Sequence, residues 1–244
     1  MKKKDHHPSP ELMGFHNANL ASAQSRLVKG NTYKDLSTVC VIPTRGMIHA
    51  KVVQSWMAMM TPMNQKFMRL MMSGLEVGEA YEQAVQQIIA HPDLSKWKFM
   101  LTLEEDNMPP PDGLMKLLES IESEQLDAVG GLYWTKGEAG QPMIYGNPAE
   151  MPRNFIPQLP QAGTIQRCNG LGMGFTLFRL EMFKSGKIQP PFFKTLQDYK
   201  PYVGSQVFTQ DLFFFSKACD AGFKIASDTR VLVGHYDASN DFTW

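Results

Sequence analysis

The amino-acid sequence predicts an α/β fold in which helices flank a mixed, mostly parallel central sheet. Short apolar runs of strand length alternate with amphipathic segments of helix length between residues 38 and 132. This alternation is typical of parallel strands joined by right-handed helical crossovers. The chain has 244 residues, a length at which a single α/β domain can bury a substantial core. We therefore expect one folded domain.

The beginning of the chain differs in composition from the rest. Residues 1–36 are largely polar, contain Pro8 and Pro10, and show no sustained period. We expect a polar N-terminal arm here, followed by the folded domain at 37–244. In the first part of that domain the periodicity predicts strands near 38–42, 66–72, 98–103 and 128–132 and helices near 48–60, 77–89 and 112–123.

Regular patterning stops after Leu132 and returns further along the chain. Residues 133–167 are rich in Gly and Pro, which predicts long loops with a short strand at 143–145. The later elements that we expect are a strand segment within 168–178, a helix at 209–221 and short strands at 223–226 and 230–233.

The composition argues against several classes of protein. With 24 basic and 24 acidic residues, the chain has no net charge to steer it toward nucleic acid or a membrane. Cys40, Cys168 and Cys219 are widely spaced in apolar surroundings, which is typical of reduced core thiols and not of a disulfide framework or a zinc site. We see neither a membrane-spanning run nor the apolar core of a signal peptide. We expect a cytoplasmic protein without membrane insertion.

The most informative segment is the run Lys98–Pro110, KFMLTLEEDNMPP, in which an apolar strand ends in three acids. The strand pattern places Glu104, Glu105 and Asp106 on the loop that precedes the next helix. In open α/β sheets, ligands bind at the carboxyl ends of the strands. Clustered carboxylates there suit a hard divalent cation that holds a phosphorylated substrate. A solvated acidic loop is the alternative, and the buried strand before it favours the binding site.

Three further segments carry candidate functional residues. The strand Val39–Ile42 ends in the turn Pro43–Gly46, and the glycines of Asn169–Phe175 would let a ligand approach the backbone closely. No long helix opens at the last of these glycines, which disfavours a dinucleotide-binding fingerprint. Asp211 lies in the first turn of a predicted helix, where the helix dipole favours an acid. His235 follows a late strand.

Taken in chain order, these segments resemble the GT-A family of nucleotide-sugar-dependent glycosyltransferases, from about residue 38 to the C-terminus. The resemblance implies the Rossmann-like GT-A fold and a cofactor ion, Mn²⁺ or Mg²⁺. It implies that the acidic run takes the place of the DxD signature, with Glu instead of Asp at the first position. The residues that it assigns to the donor nucleotide and its diphosphate are Pro43, Thr44, Arg45, Glu104, Glu105 and Asp106.

The same resemblance implies roles for residues later in the chain. His235 would be a metal ligand together with Asp106. Asp211 would remove the proton of the acceptor, although Gln210 stands where the family often has a second acid. Acceptor binding is assigned to Trp134, Gly172 and Asp211. This arrangement implies inversion at the anomeric carbon, and retention stays open if Asp211 only holds the acceptor.

The expected activity is therefore metal-dependent transfer of a sugar from a nucleotide diphosphate sugar, with UDP favoured, to an acceptor hydroxyl. The EEDNMPP strand exit resembles small glycosyltransferases of bacteriophages, some relatives of which modify hydroxymethylated DNA bases. The resemblance thus makes modified phage DNA in the host cytoplasm a candidate acceptor, and Tyr133, Trp134, Lys136 and Arg153 could stack on and steer a nucleic acid. Two alternatives stay open: a sugar-phosphate nucleotidyltransferase and a non-catalytic nucleotide-sugar or carbohydrate binding protein.

Overall fold

A seven-stranded sheet runs through the protein, whose structure is a computed structural model that describes residues 34–200 and 204–244. The folded unit within these residues extends from Leu36 to Trp244. Most of the predicted arm at 1–36 lies outside the described residues, so the arm stays a prediction.

The central sheet has the strand order β2-β1-β3-β9-β5-β12-β7. Strands β9 and β7 run antiparallel to their neighbours, and the other five strands run in one direction. The predicted class, a mixed and mostly parallel sheet with flanking helices, is confirmed. In chain order the strands of this sheet are β1 (Thr38–Thr44), β2 (Phe67–Ser73), β3 (Phe99–Leu103), β5 (Ala128–Leu132), β7 (Ile165–Arg167), β9 (Phe175–Arg179) and β12 (Ile225–Leu232).

Helices cover the sheet, and four of them lie close to where the sequence predicts them. Those four are α1 (Ala50–Ala58), α2 (Val77–Ala90), α3 (Gly113–Ser123) and α5 (Gln210–Asp220), and a single turn, α4 (Glu181–Lys184), comes before α5. The inner face of α2 is apolar, because Tyr81, Val85 and Ile88 are all fully buried at helical spacing. A 3₁₀ turn at Leu94–Lys96 leads into β3.

Short strand pairs lie outside the main sheet. Strand β4 (Asn107–Met108) directly follows the acidic run and pairs with β13 (Gly234–Asp237), which also pairs with β14 (Phe242–Thr243). The remaining pairs are β6 (Ile144–Tyr145) with β8 (Gly170–Leu171), and β10 (Leu196–Lys200) with β11 (Gly204–Phe208). The pairing of β4 with β13 brings the C-terminal segment to the carboxyl end of β3.

The prediction of two short strands at 223–226 and 230–233 is wrong, because one continuous strand, β12, spans this region. In the sequence, the charged residue Asp228 interrupts the apolar pattern and so predicts the end of a strand. In the structure Asp228 is fully buried, accepts a hydrogen bond of 2.6 Å from the Ser120 hydroxyl, and pairs with Arg230 at 2.8 Å. Because its charge is paired, this carboxylate can lie inside the sheet.

An aromatic cluster anchors α5 to the core. Phe214 and Phe215 are fully buried, and Phe214 stacks on Phe193 with ring centroids 4.8 Å apart. Such aromatic pairs contribute roughly 0.5–1.5 kcal/mol beyond the area that they bury. This packing fixes the first turn of α5, which carries Asp211.

All three cysteines are free thiols: Cys40 and Cys168 are buried, and Cys219 is half-buried. Within residues 34–200 and 204–244, no helix combines the length and the apolar character that crossing a bilayer requires.

A candidate active site at the carboxyl end of the sheet

Two adjacent strand ends bring the predicted donor residues together. Strands β1 and β3 pair in parallel, so the turn after Thr44 and the acidic run after Leu103 meet at one edge of the sheet. Pro43 and Thr44 are buried within the end of β1, whereas the Arg45 side chain is 87% exposed. This edge therefore combines a buried strand end with the exposed guanidinium of Arg45.

Glu105 connects the two strand ends. Its carboxylate accepts hydrogen bonds from the Thr44 hydroxyl at 2.8 Å and from the Arg45 backbone N–H at 2.9 Å, and it pairs with the Arg45 guanidinium. Burial alone would raise the pKa of Glu105, but these hydrogen bonds and the Arg45 charge outweigh it and lower the pKa. Glu105 is thus an ionised carboxylate that orders the turn after β1.

Asp106 lies between two cationic or basic groups. Its Oδ2 atom is 2.6 Å from Nζ of Lys136 and 3.5 Å from Nε2 of His235. Burial opposes ionisation, but hydrogen bonds from His235 and Lys136 lower the pKa of Asp106 to about 2. The Asp106 backbone carbonyl also accepts a 2.7 Å hydrogen bond from the Tyr236 N–H, which ties it to β13.

The His235 ring is oriented by its second nitrogen. Nδ1 lies 2.7 Å from the backbone carbonyl oxygen of Trp134, and because a carbonyl only accepts, Nδ1 carries the proton. The other nitrogen, Nε2, faces Asp106: with a proton it donates a hydrogen bond to that carboxylate, and without one its lone pair can bind a metal ion. The Tyr133 ring packs edge-on against the imidazole at 5.5 Å between centroids. A histidine held in this way is typical of metal ligands.

Glu104 faces a different part of the site from Glu105. Its carboxylate accepts a hydrogen bond of 3.3 Å from the hydroxyl of Tyr81, which is fully buried. Burial, together with the negative charges of Asp106 and Asp211, raises the pKa of Glu104 to about 8. Glu104 therefore holds a proton at neutral pH when no cation is bound.

Asp211 lies in the first turn of α5 and is 5% exposed. Its Oδ1 atom accepts hydrogen bonds from the Leu212 N–H at 2.8 Å and from the Thr209 hydroxyl. Burial nevertheless raises the pKa of Asp211, because these bonds only partly compensate for lost solvation. Its charge also raises the pKa of Glu104 and of Tyr145.

The glycine segment packs beneath the site. A methyl group added at Gly172 would collide with the hydroxyl of Tyr133, and one at Gly174 would lie within 2.5–2.7 Å of the Asn107 amide. Tyr133 accepts a 2.9 Å hydrogen bond from the Gly174 N–H. The close approach expected of these glycines thus occurs against side chains of the protein. Gly172 is itself buried, and its role in acceptor binding stays a prediction.

Asn107 is the polar residue of the site that sequence reasoning missed. It is fully buried, and neither its amide nitrogen nor its amide oxygen has a hydrogen-bond partner among the described residues. Its backbone carbonyl accepts a 2.8 Å hydrogen bond from the Trp56 indole. An unpaired buried amide costs roughly 1–3 kcal/mol. The only signal in the sequence was its position directly after the acids.

The structure brings the predicted acids, Asp211 and His235 to one region, but it places the aromatic and basic candidates differently. Tyr133 is 1% exposed, so the prediction that it stacks on a nucleic acid is wrong. Trp134 is half-buried against the core and contributes its carbonyl to His235. Arg153 pairs with Asp220 at 2.6 Å at the far end of α5. Lys136 pairs with Asp106 itself.

The protein ligands for a cation are few. Within the part of the chain that the structure describes, no three His, Cys, Asp or Glu side chains are placed to hold a metal ion. Asp106 and His235 supply two ligands, one oxygen and one nitrogen, on opposite sides of a 3.5 Å gap. Mg²⁺ is often held by one or two carboxylates together with substrate phosphates and water. The donor set therefore fits an ion that a phosphorylated ligand completes.

Comparisons with known proteins identify similar folds. The chain resembles A197 from STIV with 18% sequence identity and a TM-score of 0.58, covering 85% of this chain and 92% of that chain. It also resembles S. aureus TarS 1–349 (13% identity, TM-score 0.44, 80% and 60% covered) and the same protein in complex with UDP-GlcNAc (12%, 0.46, 80% and 58%). No protein-family model and no curated protein matches the sequence. The likeness to A197 concerns the fold alone and agrees with the predicted GT-A-like architecture.

Proposed function

We propose that this protein is a glycosyltransferase that transfers a sugar from a nucleotide diphosphate sugar to an acceptor hydroxyl. The observation that carries the proposal is the contact of Asp106 with His235, which lie far apart in the sequence, at the carboxyl end of β3, where the charge of Asp211 also acts on Glu104. Ligands of open α/β sheets bind at this end. The surrounding carboxylates differ in charge state, as the separate tasks of donor binding and acid–base chemistry require.

The donor nucleotide would bind beside the turn after β1. The Arg45 side chain is largely exposed there, and Glu105 holds the turn in place through the Arg45 backbone and the Thr44 hydroxyl. UDP is the nucleotide that the family resemblance favours. A rigid turn with one exposed guanidinium offers both a surface for the nucleoside and a charge for its diphosphate.

The cofactor in this proposal is Mn²⁺ or Mg²⁺, held by Asp106 and His235. The ionised Asp106 offers an oxygen ligand, and His235, held through Nδ1–H, offers the Nε2 lone pair once Nε2 no longer donates a proton to Asp106. When bound, such an ion supplies positive charge that stabilises a departing diphosphate. The protein contributes the ligand geometry and the hydrogen bond that fixes the imidazole.

Asp211 is the proposed general base. Its raised pKa brings its basicity closer to neutral pH than that of an ordinary carboxylate, and its Oδ1 atom is already engaged by Leu212 and Thr209. The base takes the proton of the acceptor hydroxyl while the acceptor oxygen bonds to the anomeric carbon. The bond from that carbon to the diphosphate oxygen breaks, and the diphosphate leaves with the electron pair. Attack from the opposite face gives inversion.

For the acceptor we propose a hydroxymethylated base in DNA, on the strength of the resemblance of the strand exit to phage glycosyltransferases. Of the described cations that the sequence assigned to nucleic acid, Lys136 and Arg153 are each paired with an acid. For either cation to contact a DNA phosphate, its ion pair with the acid would therefore have to break. The acceptor must be tested separately from the donor.

The experiment that tests the proposal is calorimetric titration of the protein with UDP, GDP and CDP, each with Mn²⁺ and again with EDTA. We expect one nucleotide, UDP, to bind in a cation-dependent manner. Transfer from the matching sugar nucleotides to hydroxymethylated and unmodified DNA then tests the acceptor. If no nucleotide binds in the presence of the cation, the proposed function is wrong.

A further inference from the structure

Lys136 and His235 both face the same oxygen of Asp106. Lys136 Nζ lies 2.6 Å from Oδ2, and His235 Nε2 lies 3.5 Å from that atom. The two proposed metal ligands and the ammonium thus form a three-membered cluster. In this arrangement the ammonium already supplies a positive charge at the oxygen that would bind a metal ion.

The ammonium and a divalent cation would compete for this oxygen. Like charges a few ångströms apart repel strongly at the effective dielectric constant of about 20 that applies near protein surfaces. Binding of a cation at Asp106 therefore favours release of Lys136. The side chain of Lys136 is only one-third exposed, so the released ammonium would stay near the site. It would then need another partner there.

The loop that carries Lys136 allows such a movement. Thr135 and Gln141 close its base through two hydrogen bonds of 2.9 Å. Gly137 follows Lys136 with a φ of +105°, a conformation that favours glycine. The lysine side chain has four methylene groups between the backbone and the charge, so its ammonium can shift while the base of the loop stays closed.

An anion in the site would be the new partner. Among the described residues, Lys136 forms its ion pair with Asp106, although its charge also acts on Glu104 and Asp237, and Arg45 is already paired with Glu105. We infer that Lys136 exchanges between two partners: it pairs with Asp106 when no cation is bound, and with the donor's diphosphate when a cation occupies Asp106 and His235. This inference rests on the proposed function, and it makes Lys136 a positioning residue of the diphosphate.

The inference gives Lys136→Met opposite effects on two ligands. Without the competing ammonium, Mn²⁺ alone should bind roughly three- to tenfold more tightly, since 1.4 kcal/mol corresponds to tenfold. Without the ammonium that pairs with the diphosphate, UDP and inorganic pyrophosphate should bind roughly tenfold more weakly in saturating Mn²⁺. The matched control is Lys116→Met, because Lys116 pairs with Asp112 at 2.8 Å with nearly the same side-chain exposures, 34% and 26%, as Lys136 and Asp106, 33% and 26%.

Calorimetry of the three proteins with Mn²⁺, and with UDP and pyrophosphate in Mn²⁺, distinguishes the outcomes. Tighter Mn²⁺ binding and weaker pyrophosphate binding in Lys136→Met only would support the inference. Unchanged or weaker Mn²⁺ binding in that variant, or no Mn²⁺ binding by any of the proteins, would overturn it, as would unchanged pyrophosphate affinity. If pyrophosphate responds as expected while UDP, GDP and CDP do not bind, the inference stands and the proposed donor class is wrong.

Discussion

The four acids of the site, Glu104, Glu105, Asp106 and Asp211, form a cluster whose two ends have opposite electrostatic character. At one end, Glu105 and Asp106 are paired with Arg45 and Lys136, and the pKa values of both carboxyls are lowered. At the other end, Glu104 and Asp211 lie against tyrosines and backbone, and burial raises the pKa values of both. Three consecutive residues thus divide between the two environments. Local sequence alone does not determine which acid is charged.

This difference predicts that the two pairs of acids have separate roles in the proposed reaction. Carboxylates that stay ionised suit the binding of a cation and the ordering of a turn. Carboxyls whose pKa is raised toward neutral suit proton transfer. In other enzymes, paired acids in contrasting environments mark separate catalytic roles. The predictions below test whether this division holds, beginning with the largest expected effect.

Replacing the buried acid of α5 should abolish most activity. Asp211→Asn keeps the hydrogen bonds to Leu212 and Thr209 but removes the base, so we expect kcat to fall by about 10²–10⁴-fold while nucleotide affinity is unchanged. Steady-state kinetics and calorimetry measure the two quantities. The matched control is Asp220→Asn on the same helix, where Asp220 pairs with Arg153. Full turnover in Asp211→Asn would remove the base assignment and favour a binding protein.

Replacing the ionised acid should act on binding instead. Asp106→Ala removes one of two proposed metal ligands, so cation-dependent nucleotide affinity should fall on the order of 100-fold, or roughly 2.7 kcal/mol. Thermal unfolding in EDTA would show whether the fold is retained. Asp112→Ala is the control, because Asp112 is equally exposed and also pairs with a lysine. An Asp106→Ala protein that keeps its Mn²⁺-dependent affinity would exclude Asp106 from the site.

The raised pKa of Glu104 predicts a pH-dependent stability in EDTA. Its ordinary pKa is 4.5 and its pKa in the folded protein is about 8, so the unfolded chain binds fewer protons between these values and stability falls as pH rises. Glu104→Gln should remove this loss, which we expect to be about 2 kcal/mol between roughly pH 6 and pH 8. Thermal unfolding at both pH values measures it. Parallel pH profiles in the two proteins would contradict the assigned environment.

Glu105 should show the opposite dependence and a smaller effect. Its pKa is lowered in the folded protein, so its contribution is present above its ordinary pKa and is lost as pH falls through the folded value. Glu105→Gln weakens the bonds to Thr44 and Arg45, and the free energy of unfolding should fall by about 0.5–1.5 kcal/mol at neutral pH. Urea unfolding at neutral and acid pH measures this, with Glu124→Gln as an exposed control. A loss that grows at acid pH would refute the prediction.

The sequence was a good guide to the strands and a poorer guide to the pairs between them. The apolar run of β3 and the acids at its end could be predicted, because burial in a sheet leaves a local pattern. The continuity of β12 could not, since Asp228 reads as a break until its partners Ser120 and Arg230 are known. Those partners are brought in by tertiary packing.

The same limit applies to the site. The positions of Asp106, Asp211 and His235 at strand and helix ends followed from patterning together with a family resemblance. The pairing of Lys136 with Asp106 did not, because Lys136 lies in a loop that has no period. The burial of Tyr133 was also missed, since an aromatic residue beside a glycine-rich region reads equally well as a surface for stacking.

The pairing of β13 with β4 has a consequence for how the protein folds. This pairing places His235 opposite Asn107, although four strands of the central sheet, β5, β7, β9 and β12, lie between the two residues in the sequence. Contacts of such long range form late, because closing a long loop costs entropy that only an already formed core repays. We therefore expect a refolding chain to complete its sheet first and to position His235, the second proposed metal ligand, afterwards, so that recovery of Mn²⁺ binding would lag behind recovery of the helical circular dichroism signal.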